Sequence, residues 1–321
     1  MRIHFWGTRG SIPVALGAAA VRRKVRTAIE RADGRRFDSA GDLDRFLDDE
    51  LGFAQAGTYG GNSSCVQVDT GGDEILVFDA GSGLRELGAR ILADGGPGRE
   101  RRINLVLSHL HWDHILGFPF FAPAYLPGTV IRIHGCHPEE VMREAFQRQQ
   151  SFPCFPVDFH RLGAAIEFVA MEPGRPYEIA GVGVRAQKQH HPFDSFGYRV
   201  EKDGKAVVYS TDSEHKEAGI GPDYPQVEFL RGADVVIFDA QYSLAEATSA
   251  KEDWGHSSNI VGVELCQLAG VRHLVLFHHD PAVDDATLAR VIDETRRYEA
   301  LSRPGEVLQI SAAYDGMEIE L

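Results

Sequence analysis

Seven consecutive residues, Ser108-His109-Leu110-His111-Trp112-Asp113-His114, constrain this chain more than any other stretch. They set three imidazoles and one carboxylate directly after the apolar run 103–107, which reads as a β-strand. On a strand, His109 and His111 point to one side. Once the strand ends, a turn carries Asp113 and His114 toward a neighbouring point. The spacing suits two adjacent cations, with His109 and His111 on one and Asp113 and His114 on the other. Imidazole and carboxylate ligands suit zinc foremost, with manganese or iron as alternatives. The competing reading is a histidine-rich surface turn. The strand before the run and Gly117 after it weigh against that.

Four ligands are too few for two ions, and further candidates stand at other strand ends. Asp212 closes Ser210-Thr211-Asp212 just past the run 206–209, where its two oxygens would bridge a metal pair or cap a turn or helix. His190-His191 follows 182–187 and His278-His279 follows 273–277, and each pair offers two imidazoles. A chain of 321 residues buries a large core unaided, so such ions would serve chemistry rather than hold the fold. Cys65, Cys136, Cys154 and Cys266 form no Cys-x-x-Cys pair, which argues against a zinc ribbon or redox pair and fits a reducing cytoplasm. Met1-Arg2-Ile3-His4 opens no signal peptide, and the longest uncharged apolar stretch, 115–126, is too short to span a bilayer. The expectation is a soluble, cytoplasmic protein with no membrane contact. A net charge of −14 argues against broad docking on a nucleic-acid duplex, but not against a small anionic substrate held by a metal.

Short β-like runs at 2–6, 65–69, 75–78, 103–107, 130–134, 182–187, 197–201, 206–210, 235–238, 273–277 and 307–311 alternate irregularly with helical patterns at 84–92, 138–149, 259–268 and 286–298. That order fits two sheets with helices outside, an α+β arrangement. Residues 14–55 read as an insertion between Gly7-Thr8-Arg9-Gly10-Ser11 and Gly57-Thr58-Tyr59-Gly60-Gly61-Asn62. Within it Val21, Val25, Ala28, Ile29 and Ala32 keep helical spacing, as do Leu43, Phe46, Leu47 and Leu51 ahead of a stop at Gly52. A solvated helical hairpin with charged outer faces is one reading, and a lid or subunit contact the other. Phe118, Phe120, Phe121, Tyr125, Phe152, Phe155 and Phe159 read as core or as an apolar wall for a base or acyl chain.

Together these motifs resemble the metallo-β-lactamase superfamily, whose signature is His-x-His-x-Asp-His. Within it the chain is similar to the phosphodiesterase branch that includes ribonuclease Z and the cyclic phosphodiesterase of phosphonate breakdown. Val77-Phe78-Asp79-Ala80-Gly81-Ser82-Gly83 matches the element ahead of the signature, and His191 stands six residues before Gly197-Tyr198-Arg199. Asp212 and His278 match the bridging aspartate and the final histidine. Gly-Thr-Arg-Gly-Ser-Ile-Pro and Tyr-Gly-Gly-Asn are shared with a group of uncharacterised hydrolases.

The resemblance implies a four-layered αβ/βα sandwich formed by 1–321 as one domain, with a helical insertion at about 15–55. It implies two divalent ions, one on His109, His111 and His191, the other on Asp113, His114 and His278, with Asp212 bridging. The spacing to Gly197 favours His191 over His190, and position directly after the strand favours His278 over His279. Asp79 would orient a ligand histidine. A metal-bridging hydroxide would attack, Asp113 would accept the water's proton, and His256 in Gly255-His256-Ser257-Ser258 would protonate the leaving group. Ser258 stands where ribonuclease Z-like enzymes carry Thr.

The implied substrate is a small phosphodiester, such as a cyclic nucleotide or nucleotide derivative. Only 20 residues separate His191 from Asp212, leaving no room for the tRNA-gripping arm of ribonuclease Z, so tRNA is not expected. The alternatives are a lactone, ester or thioester hydrolase on the same scaffold, or a non-catalytic metal-dependent binding or sensing protein. A homodimer is the assembly the branch suggests.

Overall fold

Alternating burial along the strands builds two sheets around one shared interior. The computed structural model describes residues 1–95, 100–216, 219–302 and 307–321. The first sheet takes β1 (Arg2–Gly7), β2 (Cys65–Asp69), β3 (Ile75–Phe78), β4 (Arg101–Leu107), β5 (Thr129–Gly135) and β6 (Ala165–Ala170). The second takes β7 (Pro176–Ile179), β8 (Val182–Gln189), β9 (Ser195–Lys202), β10 (Lys205–Ser210), β11 (Val235–Asp239), β12 (His273–Phe277) and β13 (Gln309–Ala312). The chain then returns to the first sheet with β14 (Glu318–Glu320), beside β1. Each sheet is seven-stranded. Each is antiparallel in its first half and parallel from β3 to β6 or from β10 to β13.

The period-2 rule assigns each residue to a layer. Leu76 and Phe78 of β3 face the second sheet, while Val77 between them faces outward. Val275 and Phe277 of β12 face inward, and Leu274 and Leu276 outward. Full burial of one such side chain, Phe277, contributes roughly 1.5–3 kcal/mol.

Helices cover both outer faces. In chain order they are α1 (Ala18–Ala32), α2 (Ala40–Arg45), α3 (Phe53–Ala56), α4 (Leu84–Gly95), α5 (Glu139–Gln149), α6 (Pro225–Leu230), α7 (Leu244–Ala247), α8 (Asn259–Ala269) and α9 (Asp285–Ser302). Leu84, Leu87 and Ile91 of α4 and Met142 and Phe146 of α5 pack on the first sheet. Val227 and Leu230 of α6, Val261, Val263 and Leu265 of α8, and Leu288 and Ile292 of α9 pack on the second. Helix, sheet, sheet, helix is the four-layered α+β sandwich the sequence implies.

The strands that went unanticipated, β6, β7 and β14, are all edge strands. An edge strand buries fewer side chains, so its apolar period is weak: only Phe168 of β6 and Ile179 of β7 are buried. The short α6 and α7 also lacked a readable period. The last expected strand starts later, at Gln309, and α5 starts after Pro138, which is its N-cap.

The insertion departs from expectation in its packing. Gly52 does end the helical run, with φ 82°, and Phe46 and Leu51 are buried. Helix α1, however, buries none of its residues, and Val21, Val25 and Ile29 face solvent. Lys24 instead points inward, to the carbonyls of Ala54 and Gly57 and to Asp285. The inner face is satisfied by a charge, so the apolar stripe lies beside it. No helix among the described residues is long and apolar enough to cross a membrane.

Two backbone segments are pressed together beneath the histidine run. Ala80 donates to the His114 carbonyl at 2.7 Å, and Gly117 donates to that of Ala80 at 2.9 Å. A Cβ on Gly117 would lie 1.9 Å from the Gly81 carbonyl oxygen. Gly117→Ala therefore forces the loops apart and is expected to destabilise by about 3 kcal/mol, as overpacking does. Urea unfolding measures it; an unchanged midpoint would show that this approach yields without cost.

Candidate metal centre

Both sheets end their strands at one edge, and the histidine run lies there. Asp79 follows β3, Ser108 and His109 follow β4, His191 follows β8, Asp212 follows β10, Asp239 ends β11 and His278 follows β12. Asp79, Asp212 and His278 leave their strands with φ 59°, 42° and 61°. A left-handed non-glycine backbone is strained by on the order of 1–3 kcal/mol. Here the turn brings these side chains together in the cleft.

Of the four ligand-type sets among the described residues, His190, Glu214 and Asp253 lie apart, and Asp212, His256 and His278 overlap the two that hold the expected ligands. His109, His111, His191 and Asp212 form one of these two; Asp113, His114 and His278 form the other. In each set the donor atoms all lie within 4.8 Å of one another. Asp212 faces both. Its Oδ2 is 3.6 Å from His109 Nε2 and 3.8 Å from His191 Nε2, while its Oδ1 is 3.2 Å from His114 Nε2 and from His278 Nε2. His111 Nδ1 and His191 Nε2 are 3.1 Å apart. Tetrahedral bonds of about 2.0–2.1 Å set ligand atoms roughly 3.3 Å apart, so these separations fit shared cations.

The rear ring nitrogens are occupied, which fixes the front ones. Asp79 Oδ2 lies 2.7 Å from His114 Nδ1, while Asp79 also accepts from Ser108 N–H, Ser108 O–H and Tyr209 O–H. His191 Nδ1 meets the Gly255 carbonyl at 2.8 Å, and His278 Nδ1 meets Gln241 Oε1 at 3.1 Å. His109 Nδ1 lies 3.0 Å from Ser108 Oγ. The Nε2 atoms of His109, His114 and His278 are left buried with no hydrogen-bond partner. Three orphaned imidazole nitrogens converging on carboxylates are what a cation site requires and what a plain hydrogen-bonded core avoids. The residues fit divalent metal.

The electrostatics agree. Burial opposes charge on Asp113 and Asp212, yet the surrounding histidines, His114 first, hold both carboxyls well below the usual range. Burial likewise opposes charge on His114, but Asp212, Asp113 and Asp79 outweigh it and raise that imidazole well above its ordinary value. Burial pushes His109 well down, with His114 adding to the effect, which keeps it neutral as a ligand must be. No lysine or arginine pairs with Asp79, Asp113, Asp212 or Asp239 among the described residues.

His190 and His279 lie elsewhere. His190 is exposed, near Glu214 and Asp253, and His279 is buried against the Ala313 carbonyl at 2.9 Å. His256 joins the edge of the site, with Nδ1 2.9 Å from Asp239 Oδ2 and its ring stacked 5.1 Å from His278. Ser258 caps α8. Phe118, Phe121 and Phe159 are outer-layer core rather than an apolar wall, and Phe120 packs on Phe155 at the surface.

Three residues at the site escaped the sequence reading. Asp239 holds His256 and accepts from Ser213 and Gln241 N–H. Its signal was available, an Asp directly after an apolar strand, the rule that found Asp212. Gln241 reaches His278 with Oε1 and donates from Nε2 to Ser11 Oγ at 3.1 Å. Ser11, at φ 59°, donates its N–H to Asp113 Oδ2 at 2.8 Å. Its neighbour Gly10 has no room for a Cβ, which would meet His278 Nδ1 at 2.6 Å. Nothing in the residue types of this glycine-rich loop or of Gln241 marked them.

Fold and site together point to one superfamily, most of whose members are hydrolases. The chain belongs to the beta-lactamase superfamily: the domain model of that family matches residues 75–279. Ribonuclease BN of Escherichia coli O1:K1 / APEC is 24% identical over 271 residues, covering 69% of this chain and 84% of that protein. The metallo-beta-lactamase fold protein YhfI from Bacillus subtilis superposes with a TM-score of 0.63 at 17% identity, over 99% of this chain and 98% of the other. A diphosphatase from the PhnP family gives a TM-score of 0.59 at 17% identity, over 100% and 97%.

Gln241→Leu removes both of that side chain's contacts while keeping its size. Partners of ligand histidines typically change metal affinity 10–100-fold. The variant is expected to bind zinc in chelator competition with one site weakened by that factor and the other unchanged. Gln241→Glu, which keeps an acceptor for His278, is expected to retain most of the affinity. Equal weakening of both sites would remove Gln241 from this role.

Proposed function

We propose that the chain is a dinuclear metal-dependent phosphodiesterase acting on a small phosphodiester, such as a cyclic nucleotide or nucleotide derivative. The observation that carries this reading is His256, held by Asp239 beside the two ligand sets. Burial disfavours its charge, but Asp239, Asp212 and Asp113 outweigh burial and push the imidazole up to about 9. A protonated imidazole at that edge supplies the proton an alkoxide leaving group needs.

In this reading His109, His111 and His191 would hold one ion and Asp113, His114 and His278 the other, with Asp212 facing both. Zinc is the first candidate, with manganese or iron as alternatives. Two such ions, when bound, supply Lewis-acid neutralisation of the phosphoryl group and an activated water. Asp79 keeps His114 in orientation, and the Gly255 carbonyl and Gln241 do the same for His191 and His278. Asp113, which already accepts from Ser11 N–H, would be the residue to hold the proton of an attacking water.

A small substrate is favoured over tRNA because β9 and β10 occupy the chain between His191 and Asp212. The relatives named ribonuclease and diphosphatase both denote phosphate chemistry, which supports the same class. Residues 1–321 are read as one domain decorated by the 15–55 insertion.

The test pairs metal analysis with turnover. Purified protein is expected to carry about two metals per chain, to hydrolyse bis-p-nitrophenyl phosphate, and to lose activity on chelation. Turnover of lactones, esters or thioesters alone would replace the phosphodiesterase reading with the ester-hydrolase one. Metal binding with no turnover on any panel would leave a binding or sensing protein.

His256→Ala separates the acid role from mere packing. It is expected to lower turnover by roughly 10²–10⁴-fold on diesters with alkyl leaving groups, the range of general acid catalysis. p-Nitrophenyl diesters, whose leaving group needs no proton, should suffer far less. An equal loss on both would deprive His256 of that role.

A further inference from the structure

Six lysines occur in the chain, and five give their ammonium groups to oxygen. Lys24 pairs with Asp285, Lys188 with Asp194, Lys205 with Asp234, and Lys216 with Glu252 and Asp253. Lys202 donates to the Thr70 carbonyl. Lys251 differs. Its Nζ rests 4.7 Å from the centre of the Tyr242 ring and 4.4 Å from that of Trp254. Among the described residues no carboxylate forms an ion pair with it. The acid on the neighbouring helix, Glu246, accepts from the N–H and O–H of Ser243 in a capping box; the charge of Lys251 helps hold its carboxyl below the usual range, without an ion pair between them.

This lysine is held beside the site. Tyr242 is buried, and its ring meets that of His256 edge-on at 5.4 Å. Lys251 Nζ therefore lies no more than about 10 Å from the centre of the His256 imidazole. The loop between them is short and tied: Lys251 N–H donates to the Glu246 carbonyl, Trp254 N–H to that of Lys251, and Gly255 N–H to Glu214. The two rings fix the ammonium in place. A ring face attracts a cation less strongly than an ionised oxygen does, so the charge stays available to an anion.

We propose that Lys251, braced by Tyr242 and Trp254, forms an anion subsite next to the metal centre, and that the substrate is a phosphodiester carrying a second anionic group. This deepens the phosphodiesterase reading and rests on it. The scissile phosphoryl group sits at the ligand sets, the leaving oxygen faces His256, and the second anion meets Lys251. A diester with a single charge leaves the subsite unused.

The test uses binding rather than turnover. AMP and ADP, which differ by one phosphate, are titrated calorimetrically into the zinc-loaded full chain. Lys251→Met keeps the apolar stem over the rings and removes the charge; Lys251→Arg keeps the charge. The expected result is that Lys251→Met weakens ADP about tenfold and leaves AMP within about twofold, one ammonium–phosphate contact being worth on that order. Lys251→Arg should retain most of the ADP affinity. Unchanged ADP binding in Lys251→Met would overturn the subsite, as would equal weakening of AMP and ADP. Bis-p-nitrophenyl phosphate turnover is measured on the same wild-type sample. Failure there with the ADP effect intact would sink the phosphodiesterase reading and leave the anion subsite standing. Turnover without the ADP effect would do the reverse.

Discussion

Buried negative charge is the constraint on which this structure turns. Asp79, Asp113, Asp212 and Asp239 are enclosed at one edge of the sheets, and no lysine or arginine answers them among the described residues. Ionised carboxylates do not stay buried without positive charge. Within the protein the answer comes from imidazoles: Asp212, Asp113 and Asp79 raise His114 well above its ordinary value, and Asp239 raises His256. A cation in the cradle would supply that charge without a proton, with His114 among the residues that would hold it. The carboxylates therefore create the demand that the histidine run is arranged to meet.

That arrangement needs both sheets. Asp79, His109, His111, Asp113 and His114 come from the first, and His191, Asp212, Asp239 and His278 from the second. Each candidate set draws on both, so neither is complete until Phe78, Val106, Tyr209 and Phe277 pack the sheets face to face. Binding a metal then stabilises the docked sandwich by linkage, since only the folded state offers the site. Tyr209 joins both tasks: its ring lies in the shared core and its hydroxyl donates to Asp79.

What was legible in the sequence follows the same physics. The central strands were readable because they are buried on both faces, and the strand-end rule led to Asp212 and to the pairs His190-His191 and His278-His279, within which the resemblance favoured His191 and His278. The unreadable parts lacked a local signature. Edge strands β6, β7 and β14 bury too little to show a period. Ser11 and Gln241 are ordinary polar residues whose meaning comes from neighbours 102 and 37 positions away. Helix α1 misled in the other direction, because spacing alone cannot say that Lys24, rather than Val21 or Val25, turns inward.

Asp239 explains why the acid and the cradle belong to one device. Its Oδ2 takes His256 and the N–H of Ser213, next to Asp212; its Oδ1 takes the N–H of Gln241, which reaches His278 and Ser11. Ser11 in turn contacts Asp113. One carboxylate thus orients His256, the loop that carries Asp212 between the two ligand sets, and the support of the last histidine. Energies in such a network are not additive, because each partner holds the next in place. A substitution that loosens the Asp239 loop shifts His256 and the candidate metal ligands together. In the proposed phosphodiesterase, the contacts that position the candidate ligands would therefore also position His256 for the leaving group.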